Sequence, residues 1–229
     1  MKDITIAIDG FSSTGKSTIA KLLAKSLGYV YVDSGAMYRA ITFFAMKEGK
    51  ISTEHFDRDG LISELPNAKV SFKFNDSLGF AEVYLNDINI EKNIRTLEVS
   101  NLVSTVAAVP EVRKQLVKIQ KEIGKNKAVV MDGRDIGTVV FPDAELKIFM
   151  NASAQTRALR RYNEIKDNGE AITFDAILEN VQKRDHLDST RKDSPLLKAE
   201  DAIEIDNSDV TIEEQFQNIL KLVNSVLKA

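Results

Sequence analysis

The chain has no cysteine among its 229 residues, which excludes disulfides and thiolate metal sites and leaves no cysteine pattern from which to read a redox compartment. It also lacks an excess of either charge. Its 31 Lys and Arg stand against 34 Asp and Glu, a net charge of -3, whereas a general nucleic-acid binder is strongly basic. A local basic cleft stays open on those numbers. Long apolar runs are missing too. Near the middle of the chain the longest uncharged stretch, Val99 to Pro110, contains Asn and Ser, and a bilayer span needs about 20 residues. There is no internal repeat, no low-complexity tract and no linker rich in Gly, Pro or Ser. The four prolines, Pro66, Pro110, Pro142 and Pro195, are scattered as local breakers. An apolar strand begins at once, with no basic segment leading into a signal core. The expectation is a cytoplasmic α/β protein with no nucleic-acid partner, no membrane span and one domain's worth of core.

What is present is led by Gly10-Phe11-Ser12-Ser13-Thr14-Gly15-Lys16-Ser17, which fits G-x-x-x-x-G-K-[ST] at every fixed position. Upstream, Ile4, Ile6 and Ile8 alternate through a buried strand. Downstream, Ile19, Leu22, Leu23 and Leu27 recur at helical spacing, and Gly28 stands where a helix would stop. Strand, glycine-bounded loop and helix in that order aim backbone N–H groups at an anion, above all a polyphosphate. The loop through Thr18 therefore reads as a nucleoside-triphosphate site. Lys16 reaches the β- and γ-phosphates, and the Ser17 hydroxyl ligates the accompanying Mg2+. The other reading is a βα turn with no ligand.

Strand-like and helical runs alternate along the rest of the chain, which predicts a parallel sheet with helices on both faces. Thr211 and Glu214 fit a capping box opening a final helix that carries Ile212, Phe216, Ile219, Leu220, Val223 and Leu227. One segment departs from the pattern. Val70, Phe72 and Phe74 alternate with polar residues, Asn75 to Gly79 supplies turn chemistry, Val83 and Leu85 alternate again, and Ile88 to Ile90 follows. That predicts a small antiparallel sheet inserted at about 63–92.

A phosphate loop alone does not choose a second substrate. Guanine reading needs N-K-x-D, and Asn126-Lys127 is followed by Ala128 and Val129, so a GTPase is disfavoured. Arginines at element ends carry more. Asp33-Ser34-Gly35-Ala36-Met37-Tyr38-Arg39 follows a strand and opens a helix, so Ser34 and Arg39 suit one anion. The plainer alternative is a capping Asp or Ser with a solvated Arg39. Asp132-Gly133-Arg134-Asp135 ends an apolar strand, where ligands gather in open α/β sheets. Arg134 offers a donor for phosphate and Asp135 an acceptor for a base amine, with Asp132 organising Mg2+ through water; the alternative is an Asp–Arg turn bridge. Arg157, Arg160 and Arg161 would neutralise a transferring phosphoryl group or form a solvated basic face. Arg184, Asp188 and Arg191, spaced by four and three, would line a site or form an ion-pair ladder. Ser104 and Arg113 flank Pro110, where two helices meet. His55 and His186 have no partner pattern and read as structural.

Taken in order, these segments resemble the bacterial cytidylate kinases, over nearly the whole chain. The most specific parts are Asp33 to Arg39, Ile94-Arg95-Thr96 with Glu98-Val99, and Asp132-Gly-Arg-Asp-Ile-Gly-Thr-Val-Val-Phe-Pro-Asp143. The resemblance implies a P-loop nucleoside monophosphate kinase, passing the γ-phosphoryl group of ATP to CMP or dCMP. It implies one kinase domain over 1–229, with a core at about 1–62 and 93–229, a monophosphate-side insert at about 63–92 and a lid at about 154–192. Ser34, Tyr38, Arg39 and Arg134 would hold the monophosphate side, with Ser104, Arg113 and Asp135 reading cytosine. Arg184 and Asp188 would meet the sugar hydroxyls, and Arg191 the phosphates or base. Arg157, Arg160 and Arg161 would form the lid over ATP, and Lys16, Arg134, Arg157 and Arg161 would act on the reacting phosphates. No obligatory protein partner is implied, and a monomer is expected. Phe11 stands where the family commonly has Pro, and His186-Leu187 interrupts a usually charged stretch. Rival readings are another small P-loop kinase, for UMP, AMP or shikimate, and an ATP-binding regulator without turnover.

Overall fold

The computed structural model describes residues 3–75, 77, 79–167 and 172–228. A parallel sheet in the order β2-β6-β1-β7-β8 forms its frame. The strands are β1 (Thr5–Gly10), β2 (Val30–Asp33), β6 (Val129–Gly133), β7 (Leu146–Asn151) and β8 (Ile203–Asp206). Three further strands, β3 (Val70–Asn75), β4 (Phe80–Leu85) and β5 (Ile88–Asn89), form a separate antiparallel sheet. The helices are α1 (Lys16–Leu27), α2 (Ser34–Lys47), α3 (Arg58–Glu64), α4 (Leu97–Ala107), α5 (Pro110–Ile123), α6 (Ala154–Asp167), α7 (Phe174–Thr190) and α8 (Ile212–Lys228). Both expected sheets are therefore found. Asp76 and Leu78, from the turn expected between β3 and β4, lie outside the described residues, as do 168–171 of the expected lid.

The chain divides into two compact units, Met1–Val30 with Asn126–Ala229, and Tyr31–Lys125. In the first unit β1 is the central strand. It pairs with β6 from Thr5↔Val129 to Asp9↔Gly133 and with β7 from Ile6↔Leu146 to Gly10↔Met150. Every residue of β1 is buried, because parallel strands covered on both faces carry continuous apolar runs instead of alternation. Burial of Ile19 and Leu23 holds α1 in place, and α8, with Ile219 and Val223 buried, packs on it. The Thr211–Glu214 capping box forms with reciprocal bonds: the Thr211 amide donates to Glu214 Oε2 (3.0 Å), and the Glu214 amide to Thr211 Oγ1 (3.2 Å).

In the second unit, α2, α4 and α5 share a core with the small sheet, through Ile41, Leu61, Val83, Ile94, Val106 and Leu116. Pro110 stands at the first position of α5, where a missing N–H costs nothing. The carboxyl ends of β1 and β6 are the part of this frame that concerns function, since loops bearing Gly10–Gly15 and Arg134–Asp135 leave from them.

Candidate nucleotide-binding site

Backbone geometry makes the loop after β1. Gly10 has φ 144°, and a Cβ there would fall 2.0 Å from the Met150 carbonyl oxygen on β7, so any side chain is sterically barred. Gly15 sits in the left-handed region, at φ 84°, as the residue that caps α1. Its turn leaves the first amides of α1 free of helix partners and aimed out of the N-terminus. Lys16 is buried at the helix start, and its Nζ donates to the Phe11 carbonyl (2.5 Å) and to Thr14 Oγ1 (3.2 Å). Burial, and then the nearby Arg134 guanidinium, push the Lys16 ammonium down to about 7. An anion placed there would restore the charged form, because opposite charge favours it.

The Ser17 hydroxyl donates to Asp132 Oδ2 at 2.9 Å. Loop helix and β6 strand end thus bring together the two residues expected at a metal. Phe11, where the family commonly has Pro, makes ring contacts of its own. Its ring lies edge-on to Phe149 at 6.2 Å and beneath the Arg157 guanidinium at 5.1 Å.

Side chains make the corner after β6. Arg134 Nε donates to Asp188 Oδ2 at 2.8 Å, so a principal acid partner comes from α7, with Asp132 of its own strand end acting on it as well. Burial works against the Arg134 charge, but Asp188 first, then Asp132 and Asp185, together raise the guanidinium above its ordinary value. Asp188 is correspondingly held low, its burial overcome first by Arg134 and then by Arg184. Arg184 is pushed down to about 10 by burial and by the like charge of Arg134, with Arg161 adding to the repulsion. Arg191, just past the end of α7, lies 3.7 Å from Asp135 and 3.9 Å from Asp188. The ladder reading of 184, 188 and 191 therefore holds only in part, since Asp188 binds across to Arg134. On α6, Arg157 is 3% exposed, which rules out a solvated face. It donates twice to Asp185 (2.9 and 2.6 Å) and once to the Ser12 carbonyl (3.3 Å). Arg160 turns instead to Asn207, through its side-chain oxygen (3.1 Å) and carbonyl (2.7 Å). Lys16, Arg134 and Arg184 act electrostatically on one another, a concentration of cations that favours a polyanion.

The second unit holds the remaining candidates. Asp33 caps α2, accepting from the Ala36 amide at 2.8 Å, so capping is real and Ser34 is the first helical residue. Arg39 is not solvated: Nη1 donates to Ser100 Oγ (2.8 Å) and the Ile94 carbonyl (3.2 Å). Arg113 is 2% exposed, stacks over the Tyr38 ring at 5.3 Å and donates to the Ala107 carbonyl (3.2 Å). Ser104 is buried on α4.

Sequence reasoning gave no site role to four residues. Asp9 accepts from the Ile136 and Gly137 amides, and Asp185 clamps Arg157. Asn207 donates to the Thr14 carbonyl while accepting from Arg160. Arg95 joins Asp33 at 2.9 Å. The signals were faint: an acid immediately before the first loop glycine, and an acid one position past Arg184.

A family model described as cytidylate kinase matches residues 6–225. Relatives named cytidylate kinase include one from Flavobacterium psychrophilum, 63% identical over 99% of this chain and 100% of its own, and one from Bacteroides fragilis, 52% identical with both chains fully covered. A crystal structure of an uncharacterized protein from Eubacterium ventriosum, 14% identical, covers 98% of this chain and 99% of its own at a TM-score of 0.51, a likeness of fold alone. Match and identity run the length of the chain, and the chain belongs to the cytidylate kinase family.

Proposed function

We infer that the chain transfers the γ-phosphoryl group of ATP to CMP or dCMP, giving ADP and CDP or dCDP. Family membership at high identity supports the activity. The observation that carries the residue roles is the Arg134–Asp135 corner, set beside a phosphate loop and backed by the Arg134–Asp188 pair. In this reading Gly10, Phe11, Ser12, Ser13, Thr14, Gly15, Lys16, Ser17 and Thr18 hold ATP, largely through main-chain amides. Arg134 meets the monophosphate and Asp135 accepts from the cytosine amine. Ser34, Tyr38, Arg39, Ser104 and Arg113 of the second unit are assigned to the same monophosphate nucleotide, as are Arg184, Asp188 and Arg191.

The Ser17 hydroxyl and Asp132 carboxylate form an all-oxygen pair, which fits a hard cation such as Mg2+ arriving with the triphosphate. Ser17 would hold it directly and Asp132 through water, and when bound it neutralises charge on the β- and γ-phosphates. The residues of the chain supply position and charge. The acceptor oxygen of the monophosphate is already anionic, so in-line attack on the γ-phosphorus needs no strong general base. Lys16, Arg134, Arg157 and Arg161 stabilise the charge spread over the transferring group. Arg157 and Arg161 stand on the lid helix and exclude water as it closes. The same reading makes the enzyme a cytoplasmic monomer with ATP and CMP or dCMP as its partners.

The experiment is ADP release measured with CMP, dCMP, UMP, AMP and shikimate in turn. CMP and dCMP are expected to drive turnover well above the others. Preference for AMP or shikimate would move the chain to another acceptor, and no acceptor-dependent turnover would make it an ATP-binding regulator.

A further inference from the structure

Asp9 is a fully buried acid to which the phosphate chemistry above gives no task. It stands immediately before Gly10, the first residue of the phosphate loop. Its Oδ1 accepts from the Ile136 amide at 2.8 Å and its Oδ2 from the Gly137 amide at 2.7 Å. Those two amides follow directly on Arg134 and Asp135 and open a wide, π-helical turn over Ile136–Val140. One carboxylate thus ties segments 127 residues apart in sequence. The turn packs closely there: a Cβ on Gly137 would fall 3.4 Å from Asp9 Oδ2 and 3.2 Å from the Lys147 side chain.

The charged groups facing Asp9 are few. Lys16, on the helix after the loop, attracts it, and Asp135, on the corner itself, repels it. The Lys147 stem from β7 packs beside Gly137, while its ammonium is committed to Asp201 (2.8 Å). Two consecutive amides on two oxygens of one rigid carboxylate fix both the distance and the pitch of the turn. A single bond would leave it free to pivot.

We propose that Asp9 is a positioning residue for acceptor recognition, clamping the 134–137 corner to the phosphate loop so that Arg134 and Asp135 are set in register with Lys16. It acts through that corner and touches no substrate. The inference rests on the assignment of the corner to the cytosine nucleotide.

The test is steady-state kinetics of Asp9→Asn beside the parent and Asp135→Ala. Asn keeps an acceptor for one amide and turns an NH2 group against the other, so one of the two bonds is lost. The Michaelis constant for CMP is expected to rise about tenfold, the worth of one buried hydrogen bond, with the CMP-over-UMP preference reduced and the constant for ATP little changed. If Asp135→Ala lowers that preference but Asp9→Asn only lowers the melting temperature, or raises both Michaelis constants alike, the clamp is overturned while the assignment of the corner stands. If Asp135→Ala leaves the preference intact, the assignment fails and takes the clamp with it. Should Asp9→Asn not fold, the parent decides by NMR: adding Mg2+ and β,γ-imido-ATP without acceptor is expected to shift the Ile136 and Gly137 amide resonances. Unmoved resonances would overturn the coupling.

Discussion

The loop at Gly10–Ser17 presents main-chain amides and one lysine, whereas the corner at Arg134–Asp135 presents side chains already engaged, Arg134 with Asp188 of α7 and Asp135 with Arg191 just beyond it. The loop's donors are set mainly by its own backbone, with Asn207 on the Thr14 carbonyl and Arg157 on the Ser12 carbonyl bracing it. Gly10, packed against the Met150 carbonyl, and Gly15, in the left-handed region, fix the backbone, and the amides follow. The corner is held by charge. Arg134 leans on Asp188, Arg191 approaches both Asp188 and Asp135, and Asp9 grips the turn behind them. Backbone sites read any polyphosphate because every chain has amides, but a guanidinium and a carboxylate side by side select a phosphate joined to one kind of base. On the proposed assignment, the generic half of the reaction falls to the main chain and the selective half to side chains.

Four substitutions sharpen that contrast, beginning with the largest effect. Lys16→Met removes the loop's one side-chain cation from the reacting phosphates, and kcat is expected to fall about 10²–10³-fold; stopped-flow ADP release measures it. Asp135→Ala leaves the loop whole and is expected to cost about 1.5–3 kcal/mol of CMP binding, the range for a hydrogen bond to a charged group, with UMP less affected. Competition between the two acceptors reads the ratio directly. Asp185→Asn removes one of the two charge-assisted bonds that hold Arg157 and is expected to lower stability by about 1.5–3 kcal/mol, as seen in urea unfolding.

The smallest effect lies in the second unit. Arg95→Ala removes the partner of Asp33 and is expected to cost about 0.5–1 kcal/mol, discounted because the arginine side chain is 43% exposed. Burial pushes the Asp33 carboxyl up, but Arg95, the Ala36 amide and Arg39 together hold the group below its ordinary 3.8. A depressed folded-state value means the pair stabilises fully above about pH 4 and is lost as pH falls through that lower value. Parent and variant are accordingly expected to converge in acid. Unfolding curves taken at neutral pH and at progressively lower pH would show it.

The phosphate loop was plain in the sequence because steric demands put glycine at fixed spacings, and spacing is what a linear chain displays. The sheets were plain for a similar reason, in β3 and β4 through alternation and in β1 through an unbroken apolar run. The seven-residue helix α3 was not, since Asp57 capping Gly60 over so short a span leaves no periodicity to detect. The partners of the arginines were hidden for a different reason. Asp185 lies 28 residues from Arg157, Asp188 lies 54 from Arg134, and Asn207 lies 193 from the Thr14 carbonyl it meets. Such pairs are brought together by the fold and leave no local pattern. Arg184, Asp188 and Arg191 looked like a helical ladder, and the structure shows why only part of one forms. The helix ends at Thr190, and Asp188 is drawn across to the strand end.

A crystal structure with β,γ-imido-ATP, Mg2+ and CMP together tests the division between main-chain and side-chain recognition most directly. The account predicts the triphosphate on the Gly10–Ser17 amides and the cytosine amine against Asp135, with the CMP phosphate on Arg134. A cytosine ring bound away from Asp135, or a CMP phosphate making no contact with Arg134, would contradict it.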